Sequence, residues 1–223
     1  MVKETDMENV KELIKNERLI VIVRGVKGEQ LIPLAEAMYA GGVRLLEVTY
    51  TASGKVTDEE TANNIGALVR HFGDRMQIGA GTVLTEKQVA LTAAAGGKYI
   101  ISPNGNPAVI RATKAAGLIS IPAAYTPTEI EAAYECGADF VKLFPVTALG
   151  PAYVKAVRGP LNHIPLLAVG GVDLSNLADY AKAGVSGFGI GGNIVDKKML
   201  EACDYDAITR LAEQYVSTIR SLY

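Results

Sequence analysis

Two charged residues stand inside runs that otherwise look like apolar strands. In "GADFVKLFPVTALGP", residues 137–151, Lys142 lies in the middle of the run from Phe140 to Phe144. In "RLLEVTYT", Glu47 has the same apolar flanks. Side chains alternate faces along a strand, so Phe140, Lys142 and Phe144 share one face, and Val141 and Leu143 the other. A buried ammonium ion is costly unless it is paired or loses its proton. Lys142 and Glu47 could therefore be each other's partner in a purely structural pair. The same arrangement is what amine catalysis needs. Desolvation lowers a lysine pKa, so free amine exists near neutral pH and can attack a carbonyl to form a Schiff base. A carboxylate raised by the same desolvation can shuttle the protons. Both readings are open at this level.

A third feature is a pair of Gly-Gly steps, "AVGGV" (168–172) and "FGIGGNIV" (188–195), each closing an apolar run. Glycine lets backbone N–H groups approach an anion closely. In barrels a phosphate commonly sits on the loops after the last two strands and at a helix N-terminus. Gly170, Gly171, Gly191 and Gly192 are the expected phosphate contacts, and Asn193 adds a side-chain donor or a helix cap.

These residues need strands to carry them. Eight β-rich apolar runs follow one another: 19–23, 43–50, 76–81, 98–103, 118–122, 139–145, 164–171 and 186–192. Between them lie Ala-rich stretches with apolar residues at helical spacing. Most end in glycine, at Gly41–Gly42, Gly73, Gly96–Gly97, Gly117, Gly137 and Gly184, where a left-handed turn is cheap. Strands alternating with helices imply parallel pairing. Eight units predict an α/β fold, a (β/α)8 TIM barrel forming a single compact domain over residues 1–223. An open doubly wound sheet is the structural alternative. A first helix over about residues 6–17 would cap the barrel bottom, and a last one spans about 204–221.

Composition narrows the classes further. The 223 residues are 49% hydrophobic, enough for a core without disulfides or metals. With 22 basic and 24 acidic side chains the net charge is −2, which argues against nucleic-acid binding. Cys136 and Cys203 show neither a disulfide framework nor metal-ligand spacing. No signal-like or membrane-spanning run is visible, so a soluble cytoplasmic protein with no membrane partner is expected. His71 and His163 are expected in solvent and Cys136 in packing. Tyr50 and Tyr125, at strand ends, could line the mouth.

The motifs "AGGVRLLEVTYT", "IGAGTVLT", "YIISPN", "YTPTEI", "GADFVKLFPVTALGP", "VKAVRGPL" and "VGGV" together resemble one family over almost the whole chain. It is the class I 2-keto-3-deoxy-6-phosphogluconate (KDPG) and 4-hydroxy-2-oxoglutarate (KHG) aldolases. The resemblance implies a compact barrel, a homotrimer, no metal, and no cofactor beyond a covalent Schiff base. It places the Schiff-base lysine at Lys142 and the proton-shuttling glutamate at Glu47. Substrate-binding positions fall on Arg24, Thr49, Thr51, Thr82, Pro103 and Val169, with phosphate on the four glycines and Asn193. The implied ligand is a small phosphorylated keto acid, cleaved to pyruvate and glyceraldehyde 3-phosphate, or to glyoxylate from 4-hydroxy-2-oxoglutarate.

Four positions depart from the family text. Thr51 stands where some members carry an arginine, leaving Arg24 to clamp a carboxylate. "AVGG" replaces "PTGG", so Val169 takes the place of a hydroxyl. Asn193 replaces a serine, and "IPAAY" replaces a "PG" step. The "AVGG" text resembles the 2-keto-3-deoxy-6-phosphogalactonate branch, which is the alternative substrate. Readings outside this chemistry are a sugar-phosphate isomerase or epimerase, and a non-catalytic barrel that binds a phosphorylated metabolite.

Overall fold

The computed structural model of the chain describes residues 4–26, 28–51, 53 and 56–223. It begins with α1 (Glu4–Glu17) and continues through β1 (Leu19–Val23), α2 (Gly28–Ala40), β2 (Leu45–Thr49) and α3 (Asp58–Phe72). Then come β3 (Gln77–Gly81), α4 (Glu86–Ala94), β4 (Tyr99–Ile101), α5 (Pro107–Ala115), β5 (Ile119–Ile121), β6 (Ala123–Ala124) and α6 (Pro127–Glu135). The last part holds β7 (Val141–Leu143), α7 (Gly150–Arg158), β8 (Leu166–Val169), α8 (Leu177–Lys182), β9 (Gly187–Ile190), α9 (Lys197–Glu201) and α10 (Tyr205–Ser221).

Local sequence explains many of the boundaries. Thr85 and Thr126 open α4 and α6 with capping boxes completed by Gln88 and Glu129. Gly42, Gly73, Gly96, Gly117, Gly137 and Gly184, at helix ends, all have positive φ.

The strands form one parallel sheet in the order β5-β4-β3-β2-β1-β9-β8-β7-β6. Its two edge strands, β5 and β6, are separated in the chain by Pro122 alone. The edges are thus joined covalently, and the sheet is a nearly closed, TIM-like barrel rather than the open alternative. Nine strands replace the eight expected because the run 118–122 does not end its element at Pro122. Proline has no N–H to donate, so the chain pairs with β4 before it and with β7 after it. The Pro122 carbonyl still accepts from the Lys142 N–H at 2.9 Å.

Alternation sorts the strand residues into two sets. Val21, Leu46, Val48, Ala80, Val141, Leu143 and Ala168 face the helices in the larger apolar cluster. Ile20, Leu45, Tyr99, Ile101, Ile121, Phe140 and Leu167 fill the interior, and Val10 and Ile14 of α1 join them. Tyr99 lies over Gly79, where a Cβ would come within 2.2 Å of its ring.

Some expectations change. Tyr50 does not line the mouth. It follows inward Thr49, so it faces outward, buried, with its hydroxyl 2.9 Å from Thr92 Oγ1 and 3.2 Å from the Gln88 carbonyl. Tyr125 is exposed. His71 and His163 are exposed, as expected, His71 beside Glu36 and His163 edge-on against Tyr134. Cys136 is half-buried against the outer cluster. Among the described residues, no helix is long and apolar enough to cross a membrane.

Candidate functional site

The inward face of β7 carries Lys142 and that of β2 carries Glu47. Both are buried, Lys142 at 6% and Glu47 at 1% exposure. Glu47 has room because it leans over Gly81 on the neighbouring strand. A Cβ at Gly81 would lie 2.0 Å from Glu47 Oε1. Burial pushes the Glu47 carboxyl up to about 7, although the charges of Lys142 and Arg24 both pull it down. Burial also pushes the Lys142 ammonium below its ordinary value. Glu47 opposes that shift and Arg24 adds to it. Among the described residues no direct ion pair joins Lys142 to Glu47. Lys142 Nζ instead lies 4.5 Å from the centre of the Phe144 ring. The two groups thus sense each other without neutralising each other, as a nucleophilic amine and a nearby proton carrier require.

Above Lys142 a cavity of about 750 Å3 opens at the C-terminal ends of β1, β7, β8 and β9. It brings together eight of the thirteen expected positions: Arg24, Lys142, Val169, Gly170, Gly171, Gly191, Gly192 and Asn193. Val169 leans over Gly189, where a Cβ would meet its Cγ2 at 2.8 Å, and turns an apolar wall to the cavity. Gly170 and Gly171 have φ of +95° and +79°. A Cβ at Gly171 would also come within 2.2 Å of Thr147 Cγ2. Glycine is therefore required at Gly170 and Gly171 by conformation and by close approach, whereas a Cβ at Gly192 would meet nothing within 4 Å. The Asn193 side chain donates to the Val172 carbonyl at 2.9 Å and ties the two glycine loops together.

Five expected positions do not line this cavity. Glu47 and Thr49 lie inside the barrel beside it, both buried. Thr82, with φ +57°, accepts from Arg24 at 3.4 Å and so bears on the site through that residue. Pro103 is half-buried at the end of β4. Thr51 is half-buried and bonds to Ser53 at 2.8 Å, next to positions outside the described residues.

The cavity also has lining that the sequence reading passed over, notably Phe144, Lys197 and Glu201. Strand alternation already put Phe144 on the face of Lys142, and that signal was available. Lys197 and Glu201 sit at the rim on α9, paired with each other at 3.6 Å. Nothing in the sequence distinguishes that pair from any surface i,i+4 pair.

Comparison with known proteins bears on this geometry. Residues 10–211 match the family model described as KDPG and KHG aldolase. A probable 2-dehydro-3-deoxy-6-phosphogalactonate aldolase of Rhizobium meliloti is 38% identical over 79% of this chain and 81% of its own length. The 2-dehydro-3-deoxy-phosphogluconate aldolase of Treponema pallidum is 33% identical over 96% of this chain and 99% of its own. A KDPG aldolase from Legionella pneumophila, solved with pyruvate captured as a covalent carbinolamine intermediate, superposes with a TM-score of 0.81. It is 27% identical and covers 91% of this chain and 96% of its own. On the extent of these matches, the chain belongs to the KDPG and KHG aldolase family.

Proposed function

We propose that this chain is a class I aldolase that cleaves 2-keto-3-deoxy-6-phosphogluconate to pyruvate and glyceraldehyde 3-phosphate. The observation that carries the reading is Lys142, buried in the wall of the cavity and close enough to sense the raised carboxyl of Glu47. Neutral Lys142 attacks the C2 ketone to give a carbinolamine. Glu47 in its acid form protonates the departing hydroxyl, water leaves, and the imine forms as a cation. The Glu47 carboxylate then takes the C4 hydroxyl proton, and the C3–C4 electron pair flows into that imine. The aldehyde departs and an enamine remains. The enamine takes a proton at C3, and one water hydrolyses the imine to release pyruvate and Lys142. Arg24 at the rim suits the substrate carboxylate. The backbone N–H groups of Gly171, Gly192 and Asn193, which have no backbone acceptor among the described residues, suit the phosphate.

A second reading, cleavage of the galactonate epimer, is favoured by Val169, whose apolar wall offers no hydrogen bond to a sugar hydroxyl. Two relatives carry that name, one of them from Escherichia coli. The same proposal treats β5 and β6 as one strand interrupted at Pro122. On that count the barrel is eightfold, with α1 across its N-terminal end and residues 1–223 as one domain. It also includes assembly as a homotrimer, which light scattering checks.

Borohydride reduction in the presence of pyruvate, followed by peptide mass mapping, tests the chemistry. A reduced pyruvyl adduct on the peptide that contains Lys142, absent in Lys142→Ala, is the expected result. A folded wild-type protein that forms no adduct would overturn the reading. Parallel assays on the gluconate and galactonate substrates then decide between the two epimers.

A further inference from the structure

The ion pair at the rim, on α9, is a part of the cavity wall that the proposed chemistry leaves unused. Lys197 and Glu201 both line the cavity, 3.6 Å apart, with side chains 87% and 65% exposed. The lysine is N-terminal to the glutamate, the weaker of the two helical orientations, so the pair contributes little to stability. Its place is nevertheless held. The Asp196 carboxylate accepts from the Met199 N–H at 2.9 Å at the start of α9. The Gln30 side-chain amide, on α2, donates to the Leu200 carbonyl at 3.1 Å near its end. Residues 194–196 alone separate Lys197 from Asn193, whose backbone N–H, like that of Gly192, has no backbone acceptor among the described residues. The charged groups among the described lining residues are Arg24, Lys142, Lys197 and Glu201. Glu201 is the one carboxylate among them, and a carboxylate in that wall opposes an anionic ligand.

We propose that Lys197 is a specificity-determining residue that exchanges Glu201 for the far-end phosphate of the substrate, and that Glu201 sets the threshold by competing for it. The inference rests on the aldolase reading above and deepens it, because it separates phosphorylated keto acids from phosphate-free ones. A lysine ammonium is a point charge on a flexible stem, suited to changing partners. A phosphate monoester carries about −1.5 to −2 charge at neutral pH and several strong acceptor oxygens. It offers Lys197 more than the single charge of Glu201 does. A terminal hydroxyl offers less, and a terminal carboxylate only as much. Such a ligand leaves the pair closed and meets the charge of Glu201 without compensation. When Lys197 turns to a phosphate, the Glu201 carboxylate is left to water, a small loss at its exposure. The Asp196 cap and the Gln30 bond keep α9 in place while the partners change.

The test compares Lys197→Met, which keeps the stem and removes the charge, with Lys197→Arg, which keeps the charge, and with Glu201→Gln. Each is assayed on the phosphorylated epimer that the wild type cleaves and on the same acid without its phosphate. In Lys197→Met the ratio of kcat/KM between the two substrates should fall by about tenfold, through KM, the size of one lost charge-assisted contact. Lys197→Arg should restore most of that ratio. Glu201→Gln should move the other way and raise the ratio by about two- to fivefold, the range of an exposed charge pair. An unmoved ratio in Lys197→Met, an equal loss on both substrates, or a lower ratio in Glu201→Gln would each overturn the assignment. Both side chains are exposed, so neither change opens the core. Borohydride trapping of pyruvate on the wild type separates the two levels. No adduct sinks the aldolase reading, whereas an adduct together with an indifferent Lys197→Met sinks only the role of Lys197.

Discussion

Burial alone holds the Glu47 carboxyl near 7, because the charges of Lys142 and Arg24 both act to lower it. A carboxyl poised there serves as acid and as base within one cycle, which imine formation and hydrolysis together demand. The same shift makes a stability statement. The group titrates near 4.5 when unfolded and about 7 when native, so the native state binds more protons between those values. Its contribution is full below pH 4.5 and is lost as pH rises through 7, on the order of 3 kcal/mol. Urea unfolding at about pH 5 and about pH 8 should show wild type losing stability relative to Glu47→Gln. Equal pH slopes for the two proteins would contradict the burial argument. Glu47→Gln should also turn over about 10²–10⁴ times more slowly, as single-turnover assays would report. Lys142 and Glu47 were legible in the sequence because a charge inside an apolar run costs too much to be idle. The side of the barrel mouth that opens was not legible. It depends on how Tyr99 fills the space over Gly79 and Val169 the space over Gly189, which are contacts across strands far apart in sequence.

At the level of strands and loops, glycines set the spacing of the site. Gly81→Ala would put a Cβ where Glu47 Oε1 now lies. The carboxyl would have to swing away, so kcat should fall by about 10²-fold with KM less affected. Steady-state kinetics on a variant of wild-type Tm checks this. Gly171→Ala meets both a left-handed φ of +79° and Thr147. It should raise KM for the phosphorylated substrate by about tenfold, a cost of the size left-handed backbone strain supplies. Borohydride trapping of pyruvate should be untouched; a matching loss there would mean the loop supports Lys142 rather than phosphate. The helix-ending glycines were readable one by one, since left-handed turns call for glycine, whereas the left-handed turns at Arg18 after α1 and Cys203 after α9 carry no such signal. The break at Pro122 was not, because the run 118–122 looks like any other strand until its hydrogen-bond partners on both sides are known.

For the molecule as a whole, α1 contributes Val10 and Ile14 to the apolar cluster that fills the barrel interior. Ile14 is 1% exposed, and Ile14→Ala should cost about 3 kcal/mol of stability. A lowered Tm with unchanged kcat at room temperature is the expected pair of results, because Ile14 does not line the cavity. The burial of Lys142 has a kinetic corollary. On the proposed chemistry, one fragment stays bonded to Lys142 in the buried wall of the cavity while the other is free. The aldehyde must diffuse out first, and pyruvate, still attached, must follow. Ordered release of this kind fixes the pattern of product inhibition: pyruvate competes with the cleaved substrate, while the aldehyde inhibits in mixed fashion. The reverse assignment would contradict a covalent link between pyruvate and Lys142.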